Sequence, residues 1–139
     1  MRNDGSTRQF KLYDVSRNSD VPQEEVDIST PDELRSTLLE FKKRERSVFE
    51  LIAPNRDLLV LGVGGDSGYV MFQSAEADPP YLWALGPNRD FDHYIEFLME
   101  GTPTPVPIAR TIPFHEMVDI ATSWMQNGRL PDTIEWDED

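Results

Sequence analysis

Residues 47–106 read SVFELIAPNRDLLVLGVGGDSGYVMFQSAEADPPYLWALGPNRDFDHYIEFLMEGTPTPV, and the spacing within this stretch decides the fold. It contains the short runs SVFELIA, DLLVLGV, SGYVMF, PYLWAL and HYIEFLME, each rich in β-branched or aromatic residues. Turn formers separate them: Pro54-Asn55-Arg56-Asp57, then Gly64-Gly65-Asp66-Ser67-Gly68, then a polar loop around Asp78-Pro79-Pro80. The gaps are too short for crossover helices, so consecutive strands are expected to pair antiparallel, as hairpins or a meander. One helical segment precedes this run and one follows it. The fold class expected is α+β, an antiparallel sheet of about four to six strands packed with two main helices.

Leu58–Val63 is almost continuously apolar, which predicts a central strand buried on both faces. In HYIEFLME, His93, Ile95, Phe97 and Met99 share one face, and Tyr94, Glu96, Leu98 and Glu100 share the other. Gly101–Pro107 contains three prolines and cannot be a central strand.

Outward from the sheet, Thr30-Pro31-Asp32-Glu33 is a helix start, with Thr30 as N-cap, Pro31 at N1 and Glu33 completing a capping box. Leu34, Leu38 and Phe41 line one face of this helix, with Leu39 widening the stripe. The basic run Lys42–Arg46 reads as a solvated helix C-terminus. A second helix is expected over Phe114–Gln126, with Phe114, Met117, Val118, Ala121, Trp124 and Met125 on its apolar face and Gly128 as its stop. Gln9–Val15 is a candidate short strand, residues 1–8 read as disordered, and Val26–Ile28 as extended. The organisation expected is a flexible or extended segment over residues 1–27, then a single α+β domain over 28–139.

The chain has no cysteine, which removes disulfides, thiolate metal sites and a Cys nucleophile and suits a reducing compartment. No apolar run approaches the length of a membrane span, and the N-terminus lacks an apolar signal core. A cytoplasmic protein without membrane contact is expected. The net charge is −13 and uneven: residues 1–46 carry 10 acids against 9 bases, and residues 47–139 carry 16 against 4. Such a surface repels nucleic acid and attracts basic proteins. Acidity for solubility alone is the competing explanation.

Gly62-Val63-Gly64-Gly65-Asp66-Ser67-Gly68 invites a phosphate-loop reading, but the third glycine of the dinucleotide fingerprint is replaced by Ser67. A strand follows it rather than a helix, so a hairpin loop explains the glycines. His93 is flanked by Asp90, Asp92 and Glu96, yet on a strand Asp92 and His93 point to opposite faces. No catalytic residue, metal site or cofactor is expected, and the chain does not read as an enzyme. Trp83 and Trp124 read as core; Trp136 either closes the core near a sheet edge or anchors a partner.

The pattern as a whole resembles the immunity protein 1 family of bacterial polymorphic toxin systems. The resemblance rests on TPDELRSTLLEF, LLVLGVGGDSGYVMF and IPFHEMVDIATSWMQNGRLPDTIEW, taken in this order over roughly residues 28–136. It implies a small cytosolic α+β protein without enzymatic activity that binds and neutralises a cognate secreted toxin. The family is often associated with nucleic-acid deaminase toxins, including those acting on double-stranded DNA. A toxin that grips DNA needs a basic groove, which an acidic protein can fill. From charge and exposure, the partner-binding residues expected are Asp66, Asp90, Asp92, Glu96, Asp132, Glu135 and Asp137, with Tyr94 and Trp136 as aromatic anchors. An acidic DNA mimic sequestering a housekeeping DNA-binding protein shares the same charge, and a small-ligand domain is a third, weaker reading. No direct binding of nucleic acid is expected.

Overall fold

A computed structural model describes residues 9–17, 24–76 and 81–139. The disorder expected for residues 1–8 and the loop at 78–80 lie outside the described residues. In chain order the elements are β1 (Phe10–Asp14), β2 (Glu25–Ile28), α1 (Pro31–Phe41), β3 (Ser47–Ile52), β4 (Leu58–Val63) and β5 (Ser67–Gln73). They continue with β6 (Leu82–Ala84), β7 (Tyr94–Met99), β8 (Thr102–Pro107), a 3-10 turn (Ile108–Arg110), β9 (Ile112–Pro113), α2 (Phe114–Asn127) and β10 (Trp136–Glu138).

The class is α+β, as expected, but among the described residues the sheet has ten strands, not four to six. Its main path runs β10-β6-β5-β4-β3-β1-β2, and β3 to β6 form the expected antiparallel meander. The meander then breaks. β7 does not join β6; it pairs in parallel with β3 at Ser47 and Leu98 and antiparallel with β8. The strands beyond the expected set are very short (β9 and β10) or proline-rich (β8), so their own sequences carry little strand signal. Pro103, Pro105 and Pro107 fall on alternate residues of β8, so all three missing N–H groups lie on the side away from β7. A strand that pairs on one side only tolerates this, and the prolines block further pairing.

The pleat sorts the sheet into two cores. Phe49, Leu51, Leu59, Leu61, Val63 and Val70 face the helices and pack with Leu34, Leu38, Met117, Ala121 and Trp124. Val48, Val60 and Tyr69 face the other way and are covered by Phe97 and Val106 of the β7–β8 hairpin. That is why β4 is apolar on both faces. Phe10 and Leu12 of β1, within the candidate strand Gln9–Val15, also bury against the helices.

The Thr30 capping box is present: Thr30 Oγ1 accepts from the Glu33 N–H at 3.1 Å, and Glu33 Oε1 accepts from the Thr30 N–H at 3.0 Å. Leu34, Leu38 and Phe41 are buried, but Leu39 is 48% exposed and does not widen the stripe. The basic run is not simply solvated. Arg44 lies over the Phe41 ring at 4.3 Å and pairs with buried Asp14, and the Lys42 carbonyl accepts from the Gly65 N–H of the β4–β5 turn. Gly128 ends α2 at φ 71°, a left-handed conformation that suits glycine.

Glu50 sits on the hairpin-covered face of β3, in line with Val48. Partial burial, then the neighbouring Glu100, push its carboxyl above the ordinary range. A raised carboxyl pKa means the folded chain holds the proton more tightly than the unfolded one. Stability is therefore lost as the pH rises through the raised value and regained as it falls. Glu50→Gln is expected to raise the Tm at pH 7, with the gain shrinking as the pH approaches about 4.3, the ordinary Glu value. Calorimetry of both proteins across this range checks it.

Candidate functional site

The residues singled out by charge fall into three places. Asp66 lies on the β4–β5 turn with a fully exposed carboxylate 3.6 Å from Lys42 Nζ. Its carbonyl accepts from the Phe114 N–H at 2.8 Å and so helps to place the start of α2.

The second place is the loop before β7 and the outer face of that strand. Asp90 is half-buried and turned inward. Its carboxylate accepts from the N–H groups of Asp92 at 2.8 Å and His93 at 3.1 Å and pairs with His93 Nδ1 at 2.7 Å. The Asp92 N–H, then the His93 ring and N–H, hold this carboxyl below the ordinary carboxylate range. Its carbonyl accepts from Ala109, and that of His93 from Ile108, which ties the loop to the 3-10 turn. Asp90 thus organises the loop. Asp92, Tyr94 and Glu96 are exposed, with Tyr94 and Glu96 on the outer face of β7 as the alternation predicts. Phe91, which charge and periodicity did not single out, is 46% exposed, and Tyr94 is 55% exposed. The signal for Phe91 was its position in a turn-rich loop, between two aspartates and outside any strand register.

The third place is the C-terminal strand. Asp132 is exposed. Glu135 pairs with Arg89 at 2.8 Å, and its carbonyl accepts from the Leu85 N–H. Trp136 is partly buried against the helix-side core and donates from Nε1 to the Pro131 carbonyl at 3.1 Å. It closes the core at the β6 edge. Asp137 receives a two-pronged pair from Arg110, at 2.9 Å from Nε and 2.8 Å from Nη2, and Arg110 lies over the Trp83 ring at 4.8 Å. Arg110 is mostly buried, so this pair is structural. Asp137→Ala removes the nearest partner of this guanidinium, leaving Asp139 Oδ1 at 3.9 Å, and is expected to cost about 1–3 kcal/mol in urea unfolding. Asp92→Ala, whose side chain has no such partner among the described residues, should change stability by less than about 0.5 kcal/mol.

Among the described residues no group of three His, Asp or Glu side chains converges to hold a metal ion. The second place brings two exposed aromatics, Phe91 and Tyr94, beside the exposed acids Asp92 and Glu96. Among the described residues no helix is long and apolar enough to cross a membrane.

An acidic α+β domain with an open sheet and an aromatic-bearing surface suits the recognition of another macromolecule. A family model described as immunity protein Imm1 matches residues 22–138, and the chain belongs to that family. Membership gives it a toxin-neutralising immunity role, with a cognate toxin as partner. No curated protein matches the chain.

Proposed function

We propose that this protein neutralises a nucleic-acid deaminase toxin, acting on cytosine in DNA, by covering its basic substrate groove. It does so in the cytoplasm, as a stoichiometric inhibitor and not as an enzyme. The observation that carries the reading is the charge distribution: residues 47–139 hold 16 acids against 4 bases, in a chain of an immunity family. A groove that binds phosphates presents several cations, and an acidic face competes for the same cations. Steric cover at the groove mouth then keeps the target base from its pocket.

The test uses the cognate toxin domain and a duplex containing cytosine. The toxin alone should generate uracil, and an equimolar amount of this protein should abolish both uracil formation and DNA binding. A toxin that never yields uracil would exclude the deaminase assignment. A toxin that keeps its DNA affinity with this protein bound would exclude groove cover.

A further inference from the structure

We propose that the toxin contact is centred on Phe91 and Tyr94, with Asp92 and Glu96 as its charged rim. This rests on the groove-covering role above and places it on one face of the molecule. Among the described residues the large hydrophobic side chains left exposed are Leu39, Phe91 and Tyr94. Two of the three lie within four residues of each other, on the loop before β7 and on its outer face. Aromatic side chains of this kind form the energetic centre of protein interfaces.

The surface is preorganised. Asp90 gathers the N–H groups of Asp92 and His93, which holds Phe91 and Asp92 in a fixed turn. Beneath Tyr94 and Glu96, Phe97 is fully buried against Tyr69. Less ordering entropy is then lost on binding.

The acids divide by partner. Asp66, Asp90, Glu135 and Asp137 each have an internal cationic or His partner. Among the described residues Asp92 and Glu96 make no ion pair, so their charge is free to act on another molecule. Asp132 is also exposed, but no exposed aromatic adjoins it. A second copy of this chain would bring the same negative rim against itself, which disfavours self-association and favours a basic partner. The β8 edge is blocked by Pro103, Pro105 and Pro107, so the contact runs through side chains rather than strand addition. Arg46 shares the shallow groove beside Tyr94, Glu96 and Pro105 and gives that end of the face mixed charge.

The test measures association and dissociation rates with the cognate toxin domain for four proteins. These are wild type, the pair Phe91→Ala and Tyr94→Ala, the pair Asp92→Lys and Glu96→Lys, and Leu39→Ala on the exposed side of α1. The aromatic pair should weaken Kd by roughly 100-fold, chiefly through faster dissociation. The charge pair should slow association by about tenfold and flatten its salt dependence. Leu39→Ala should bind like wild type. If both pairs bind within about threefold of wild type, this placement is overturned while the immunity role stands. If wild type itself fails to bind the toxin, the role falls and this contact with it. Should the aromatic pair lose its melting transition, the association rate of the charge pair decides alone.

Discussion

Phe97→Ala is expected to lower the free energy of unfolding by about 3–5 kcal/mol. Phe97 has no exposed surface and meets Tyr69 edge to face, with centroids 5.0 Å apart. Tyr69 in turn lies 5.2 Å from Trp83, so Phe97 closes a row of aromatic rings across the face of the sheet that the helices do not cover. Removing it leaves a void under the β7–β8 hairpin. Relaxation is limited because the backbone is tied at the far end: the Leu98 N–H donates to Arg46 and the Glu100 N–H to Val15, each at 2.8 Å. The Tm should fall by roughly 10–20 °C. In urea the midpoint should drop with the slope unchanged. Because Tyr94 and Glu96 ride on the same strand, toxin affinity should fall with stability. A loss under about 1 kcal/mol would mean that the hairpin is not held by this side chain.

Gly86→Ala is the second large effect, and it acts on the loop rather than the core. A Cβ at residue 86 would lie 1.9 Å from the Thr111 carbonyl oxygen, a backbone atom that cannot rotate away. The two segments are also bonded, with the Gly86 N–H donating to Ala109 at 2.9 Å. Alanine must push the 86–93 loop off the 3-10 turn. The expected cost is about 3 kcal/mol, at the upper end for overpacking. The control is Gly128→Ala, where a Cβ meets nothing within 4 Å and only the left-handed backbone is strained. That change should cost about 1 kcal/mol. Thermal unfolding of both variants checks the order. Equal losses would contradict the close approach at Gly86.

The parts of this fold that were legible are those whose cause is local. The Thr30–Glu33 box lies within one turn of chain, and β3, β4 and β5 carry their own alternation and turn residues. Gly62 belongs to the glycine run for a reason the run does not reveal, since a Cβ there would lie 2.2 Å from the Tyr69 ring. The parts that were not legible depend on distant partners. β10 exists because Trp136 finds Ala84, and β7 leaves the meander because Leu98 finds Ser47. The candidate site divides in the same way. The outer face of β7 followed from period-two alternation, but the engagement of Glu135 by Arg89 and of Asp137 by Arg110 joins residues 46 and 27 positions apart. Charge alone could not tell these structural acids from the free ones at Asp92 and Glu96. Leu39 marks the limit of the helical stripe, because the sheet and α2 cover a narrower arc of α1 than its apolar residues span.

The measurement that bears most directly on the central claim is growth rescue. The cognate toxin domain is expressed in a sensitive host with and without this protein, and the complex is sought in the same cells. The immunity role predicts survival only when both are present, with the two proteins purifying together. Cell death despite abundant, folded protein and no complex would contradict it.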